Sequence, residues 1–155
     1  MAIPQRSARG LQDRFSIVEF YYDFDTSVKK ALSEISPDYA RYDALVVCGT
    51  HAPRDWEEAI EKINEAWDTG RPFLGICFGH QLAAIAYARR IGIKDATSEE
   101  FGVPGTFVVQ KLPELNVGLK DGESWWNNYE VVIDTNFPES FCTAQFHPEY
   151  ESSID

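Results

Sequence analysis

The chain is poor in cysteine and histidine. Its three cysteines, Cys48, Cys77 and Cys142, are odd in number and scattered, and no CxxC pair occurs. The sequence therefore indicates neither a disulfide framework nor a cysteine-rich metal site. The three histidines also lie far apart, and we predict no metal ion and no cofactor.

Basic residues and long apolar runs are scarce as well. Lysine and arginine total 14 against 25 acidic residues, so the formal net charge is −11. Such a surface repels phosphates and anionic lipids, and we expect no nucleic acid partner. No apolar run approaches the ~20 residues that span a membrane, and residues 1–14 lack a signal-peptide core. We therefore expect no membrane association and a cytoplasmic location.

The length of 155 residues fits one domain, placed over 1–155. Strands and helices alternate over the first ninety residues, which predicts an α/β fold with a mostly parallel sheet and helices on both faces. The predicted strands are 15–22, 43–48, 72–76, 106–110, 130–133 and 141–146. The predicted helices are 26–36, a segment beginning near Asp55, and 78–90.

The middle helix has the clearest end signals. Asp55 and Glu58 have the spacing of a capping box, and Gly70 stands where a C-terminal cap belongs. The apolar residues that fall on one face between them are Trp56, Ile60, Ile63 and Trp67. This face predicts burial against the sheet.

The segment 75–79, Gly-Ile-Cys-Phe-Gly, has the form G-x-C-x-G between an apolar strand and a helix. This is the context of a nucleophile elbow, with sulfur in place of the serine oxygen. Glycines are needed because side chains in so tight a turn would clash with the neighbouring strand and helix. The helix N-terminus favours a thiolate at Cys77, and the turn offers N–H groups to a developing oxyanion. The alternative is a buried structural cysteine between packing glycines.

A second candidate motif is His147-Pro148-Glu149. Residues two apart in an extended segment point to the same side, so Glu149 is placed to orient the imidazole of His147. Alone, this tripeptide is more typical of a surface turn. Together with the elbow it predicts a Cys77–His147–Glu149 triad of nucleophile, base and orienting carboxylate.

These motifs carry a family resemblance. GICFGHQ at 75–81 followed by QFHPEY at 145–150 resembles the class I, or triad, glutamine amidotransferases, most closely the glutaminase domains of CTP synthases. In those domains the elbow leads into an Ala-rich helix and a segment of the form NSTEF, and this chain has LAAIAYARRIGIKDATSEEF at 82–101. The segment VVQKLPELNVG at 108–118 is similar to the strand and Pro-Glu segment that follow.

The resemblance covers roughly 42–118 and 141–152. It implies a flavodoxin-like fold, a three-layer sandwich that we expect to be trimmed at the N-terminus. It also implies that Cys77 attacks the side-chain amide of glutamine while His147, held by Glu149, shuttles the proton. Ammonia then leaves, and water hydrolyses the γ-glutamyl thioester.

The resemblance further implies which residues contact the substrate. These predicted residues are Gln81, Glu100, Gly49, Thr50 and Phe78. Glu100 would pair its carboxylate with the substrate ammonium. Simpler alternatives are a solvated acidic surface at Glu99 and Glu100, and a capping or packing role for Gln81.

Two features of the candidate site depart from the family pattern. The turn that supplies an oxyanion N–H reads Pro-Gly-Gly in the family, whereas here Gly49 is followed by Thr50, whose backbone is more restricted. The arginines that help bind the substrate carboxylate in CTP synthases are absent from WWNNYEV at 125–131. Trp125 and Trp126 line an altered pocket or divide between core and surface.

The expected activity is hydrolysis of glutamine or a related small amide. No synthetase domain is evident, so the ammonia would pass to a synthetase partner protein. The first alternative is a catalytically inactive relative that serves as a binding or regulatory module. The second is a cysteine hydrolase acting on another amide, or a redox-sensing protein. A sheet edge left open near the N-terminus would also permit a homo-oligomer.

Overall fold

The computed structural model describes the backbone of residues 17–20, and residues 44–50 and 52–148 in full. The strands are β1 (Ile17–Phe20), β2 (Ala44–Val47), β3 (Phe73–Ile76), β4 (Ala96–Ser98), β5 (Thr106–Lys120), β6 (Glu123–Val131) and β7 (Phe141–Ala144). The helices are α1 (Trp56–Thr69), α2 (Phe78–Arg90) and a short 3-10 turn at Glu99–Phe101. The predicted helix at 26–36 and Glu149 lie outside the described residues.

The main sheet has the order β1-β2-β3-β7, and every neighbouring pair in it is parallel. This confirms the α/β class and the parallel sheet predicted from the alternation of strands and helices. The carboxyl ends of parallel strands meet at one edge, so the turns that follow β2, β3 and β7 converge there. That edge holds Cys77, the residue that follows β3.

A second sheet has the order β4-β5-β6, with β5 and β6 forming a long antiparallel hairpin. The predicted strands at 106–110 and 130–133 mark only the two ends of this hairpin. Its outer part lies mostly exposed and contains Pro113, so it lacks the apolar alternation of a half-buried strand. The pairing register shifts between Lys111 and Asn116, on either side of this proline.

Helix α1 begins differently from the prediction. Asp55 has φ 53° and ψ 26°, a left-handed conformation, and its side chain makes no capping hydrogen bond. The capping-box prediction is therefore wrong, because an N-cap carboxylate reaches the helix N–H groups from extended backbone. The predicted C-terminal cap is confirmed, since Gly70 has φ 69° and its N–H turns back to the carbonyls of Ala66 and Trp67.

An aromatic cluster anchors β7 to the rest of the domain. The ring of Phe141 lies 4.7 Å from that of Phe73 and 5.2 Å from that of Trp67, measured between centroids. Phe137 and Tyr87 extend the cluster along α2. These contacts fix the chain just before the segment that carries His147.

Across the described part of the chain, no helix combines the length and the hydropathy that crossing a bilayer requires.

Candidate active site

Cys77 occupies a strained turn between β3 and α2. Its backbone has φ 54° and ψ −101°, which costs on the order of 1–3 kcal/mol for a residue with a side chain. The turn is held on both sides, because the Cys77 N–H donates to the Ala144 carbonyl at 2.7 Å and the Cys77 carbonyl accepts from the Gln81 N–H at 3.1 Å. The side chain is 5% exposed at the carboxyl edge of the sheet.

The glycines on either side of Cys77 are required by close packing. A side-chain carbon on Gly79 would overlap the carbonyl oxygen of Val47, so α2 can approach β2 only without one. A side-chain carbon on Gly75 would lie 2.8 Å from the Phe73 ring and 2.9 Å from the backbone of Gly79. Side chains at both positions would therefore clash with neighbouring parts of the fold, as the sequence led us to expect.

His147 lies on the same side of the sheet edge as Cys77. A side-chain carbon on Gly49 would stand 3.0 Å from Cε1 of His147, 3.3 Å from Cβ of Cys77 and 3.7 Å from its Sγ. Both side chains therefore border the space that Gly49 leaves open. His147 is 8% exposed, and its N–H donates to the Ser124 carbonyl at 2.6 Å. The structure brings these two predicted residues together, while Glu149 lies outside the described residues.

The turn after β2 accommodates threonine without strain. Neither Gly49 nor Thr50 has a positive φ, so this turn does not need the backbone freedom of a second glycine. The Thr50 side chain is buried, and its Oγ1 accepts a hydrogen bond from the Ala52 N–H at 2.9 Å. The departure from Pro-Gly-Gly is therefore compatible with a well-formed turn beside Cys77.

The sulfur of Cys77 has two polar neighbours that the sequence did not reveal. The thiol donates to the Trp126 carbonyl at 3.7 Å, and Nε2 of Gln145 donates to Sγ at 3.5 Å. Gln145 stands two residues before His147, and the strand predicted over 141–146 offered a signal for placing both on one side, although β7 ends at Ala144. No sequence signal marks a backbone carbonyl such as that of Trp126.

Glu100 and Glu99 have different surroundings. Glu99 is exposed and accepts a hydrogen bond from the Lys111 N–H, whereas Glu100 is partly buried. Burial raises the pKa of Glu100 to about 7. Burial, followed by the charges of Glu100 and Glu99, raises the pKa of Tyr129. Glu100 is therefore not an ordinary solvated carboxylate, and it lies near the strand that Gln81 contacts.

Phe78 and the two tryptophans lie around the site in different surroundings. The Phe78 ring is 1% exposed and packs edge-on against Phe101 at 6.0 Å, so a substrate can meet Phe78 only through its backbone. The two tryptophans differ in exposure. Trp125 is partly buried against Phe146, and Trp126 is 49% exposed.

The parallel sheet, with Cys77 and His147 at its carboxyl edge, matches a known class of protein. Residues 7–134 match the family described as "Glutamine amidotransferase class-I". This match covers most of the chain, and the chain belongs to the class I glutamine amidotransferase family.

Among the individual relatives of this chain are CTP synthases. The chain is 45% identical over 78 residues to the CTP synthase of Methanoculleus marisnigri, covering 50% of this chain and 15% of that protein. It is 34% identical over 118 residues to the CTP synthase of Bdellovibrio bacteriovorus, covering 73% of this chain and 22% of that protein. The chain thus spans less than a quarter of the length of these relatives.

A solved structure supports the same assignment of the fold. The glutaminase domain of Trypanosoma brucei CTP synthase with bound acivicin matches with a TM-score of 0.54 and 20% identity. The match covers 72% of this chain and 54% of the solved chain. At this level of identity the likeness concerns the fold alone, and it confirms the predicted flavodoxin-like architecture.

Proposed function

We propose that this domain hydrolyses the side-chain amide of glutamine and releases ammonia. The observation that carries the proposal is that Cys77 and His147 both border Gly49 at the carboxyl edge of the parallel sheet. Membership of the class I glutamine amidotransferase family supports glutamine as the substrate. The CTP synthases among its relatives support it as well.

In the first half of the reaction, the Cys77 sulfur attacks the amide carbon, and the carbonyl electron pair moves onto oxygen. We propose that backbone N–H groups of the turn after Cys77 and of the turn of Gly49 and Thr50 stabilise that oxyanion. The oxyanion then collapses and the C–N bond breaks. His147, which received the thiol proton, returns it to the departing nitrogen, and a γ-glutamyl thioester remains.

In the second half, water attacks the thioester carbon while His147 takes a proton from it. The C–S bond breaks, the proton returns to sulfur, and glutamate leaves. Glu149 is proposed to orient His147 throughout these steps. Its position two residues beyond His147 in the sequence supports this role.

Substrate recognition is proposed to use Glu100 against the α-ammonium group of glutamine. A partly buried carboxylate binds a cation more strongly than a solvated one, and the raised pKa of Glu100 reflects that setting. Pairing with the ammonium would hold Glu100 ionised.

The ammonia is proposed to serve a synthetase. The relatives are CTP synthases of which this chain covers less than a quarter, so the amination step belongs to parts of those proteins that this chain does not match. We propose a synthetase as the acceptor of this ammonia.

The test is release of glutamate and ammonia from L-glutamine by the wild type and by Cys77→Ala, alone and with cell extract. Release that disappears in Cys77→Ala supports the proposal. Cys142→Ala is the matched control, since Cys142 is exposed and lies outside the site. If neither condition gives release, and Cys77 is also slow to react with acivicin, the proposal is wrong.

A second candidate is hydrolysis of a different small amide. Residues 121–148 contain no lysine or arginine, so this part of the site offers no cation to a substrate carboxylate. An amide without an α-carboxylate would suit such a site. Faster turnover of an uncharged amide than of glutamine, again lost in Cys77→Ala, would favour this alternative.

A further inference from the structure

A chain of side-chain amides leads from the hairpin to the sulfur of Cys77. Asn127 donates to the Tyr129 carbonyl at 2.8 Å, and Gln81 donates to the same carbonyl at 3.0 Å. Gln81 also donates to Oε1 of Gln145 at 3.2 Å, and Gln145 donates to Sγ of Cys77 at 3.5 Å. The nucleophile is therefore the last acceptor of a connected polar network.

The network fixes which end of Gln145 meets the sulfur. Both protons on Nε2 of Gln81 are used, one on the Tyr129 carbonyl and one on Gln145. Oε1 of Gln145 must therefore face Gln81, and its NH₂ group must face the sulfur. Gln81 is 3% exposed, so water has little access to compete for these bonds.

The two polar neighbours of the sulfur favour opposite protonation states. The Trp126 carbonyl is an acceptor, so it favours the thiol that donates to it and repels a thiolate. The NH₂ group of Gln145 is a donor, so it favours the thiolate. When Cys77 loses its proton, the first contact becomes unfavourable and the second becomes stronger.

We propose that Gln145 is a further catalytic residue, whose side-chain N–H stabilises the Cys77 thiolate, and that Gln81 is the positioning residue that orients it. This rests on the proposed function only in taking Cys77 as the nucleophile. It also gives Gln81 a role different from the substrate contact implied by the family resemblance.

The test is the pH dependence of Cys77 alkylation by iodoacetamide, followed by mass spectrometry of the peptide that contains Cys77. Gln145→Met replaces the amide by an apolar side chain of similar length. We expect its alkylation midpoint to rise by about one to two pH units, the effect of losing a hydrogen bond to a charged group. Gln145→Glu should raise the midpoint further, because a carboxylate would then face the thiolate.

Three features of the design separate this role from a structural one. Gln110→Met, at an exposed glutamine whose side chain donates to the Phe107 carbonyl, is the matched control and should leave the midpoint unchanged. His147, which borders Gly49 together with Cys77, is present in every variant. Gln81→Met should shift the midpoint in the same direction as Gln145→Met, but by less.

An unchanged midpoint in both Gln145→Met and Gln145→Glu would overturn the proposal. Misfolding would instead expose Cys77 and raise the alkylation rate at all pH values, which the plateau at high pH detects. Gln145→Glu is close to isosteric and keeps the test available if Gln145→Met does not fold. The readout needs no glutamine, so a wild type that hydrolyses none would defeat the proposed function while leaving this measurement valid.

Discussion

Cys77 and His147 approach each other where Gly49 has no side chain. A single carbon atom at Gly49 would contact Cε1 of His147 at 3.0 Å and Cβ of Cys77 at 3.3 Å. Both side chains therefore border the space left by a third residue, at the end of a neighbouring strand. A substitution that adds a side chain at Gly49 should therefore disturb both residues.

Gly49→Ala should fold but lose activity. The backbone at Gly49 does not have a positive φ, so alanine adds no conformational strain there. Its methyl group would push the imidazole from the sulfur, and we expect kcat for glutamine hydrolysis to fall by about 10- to 100-fold.

The matched control is Gly70→Ala. Gly70 has φ 69° with open space around it, so alanine should cost about 1–2 kcal/mol of stability and leave kcat unchanged. Urea unfolding and steady-state kinetics on both variants measure the contrast. A normal kcat in Gly49→Ala would contradict the role assigned to Gly49.

Gly79→Ala should prevent normal folding. The added carbon overlaps the Val47 carbonyl, and backbone cannot move aside as a flexible side chain can. We expect a loss of more than about 3 kcal/mol, seen as a low soluble yield or a much lower urea midpoint. Ala84→Gly is the comparison on the same helix and should cost only about 1 kcal/mol through helix propensity, besides the lost burial of one methyl group. A normal urea midpoint for Gly79→Ala would show that α2 can move away from β2.

Glu100 should make stability fall as the pH rises. Its pKa in the folded protein is raised to about 7 from an ordinary value of 4.5, so folding favours the neutral form. Its contribution to the free energy of unfolding is therefore fully present below about pH 4.5 and lost as the pH rises to about 7.

Glu100→Gln keeps a neutral side chain at every pH. It should be more stable than the wild type at pH 8, with the difference disappearing at pH 4.5, as measured by urea unfolding. If Glu100 binds the substrate ammonium, the same variant should raise KM for glutamine. Higher stability at pH 8 with an unchanged KM would support the raised pKa of Glu100 and contradict its proposed role in binding the substrate.

Arg89 should matter more to stability than its partner Glu57. Its guanidinium donates to both carboxylate oxygens of Glu57 at 2.7 and 2.8 Å, and also to the Ala96 carbonyl at 3.0 Å. Glu57→Gln removes only an exposed ion pair and should cost at most about 1 kcal/mol. Arg89→Met also leaves the Ala96 carbonyl without this donor, and we expect a larger loss, about 1–3 kcal/mol.

Acid titration gives a second check on this pair. The hydrogen bond from Arg89 lowers the pKa of Glu57, so the pair stabilises the fold above the ordinary glutamate pKa and loses that effect on acidification. The difference between wild type and Glu57→Gln should therefore shrink as the pH falls toward 3. A difference that persists at low pH would mean that Glu57 acts through packing rather than charge.

The parallel sheet and the turn at Cys77 were accessible from the sequence because each has a strong local signal. An apolar run followed by G-x-C-x-G predicts a strand, a tight turn and a helix. The close packing at Gly75 and Gly79 explains why both residues are glycine. The carboxyl edge of the sheet then placed Cys77 where His147 is also found.

The long hairpin was missed although the chain contains a suitable signal. Asp121 and Gly122 have φ values of 51° and 81°, the two positive angles that a tight hairpin turn needs, and Asp-Gly is the dipeptide that favours them. The left-handed backbone of Asp55 and the contact of Gln145 with sulfur could not be predicted, because both depend on packing between distant segments.

The position of β7 bears on when the site forms during synthesis. The Cys77 N–H is satisfied by Ala144, and β3 pairs with β7 across nearly seventy intervening residues. When Cys77 has been synthesised, β7, the strand that holds the Cys77 turn in place, has therefore not yet been made. Until β7 has emerged, the nascent chain carries Cys77 without the hydrogen bond to Ala144 and without His147 beside it, so the candidate site is completed only late in synthesis.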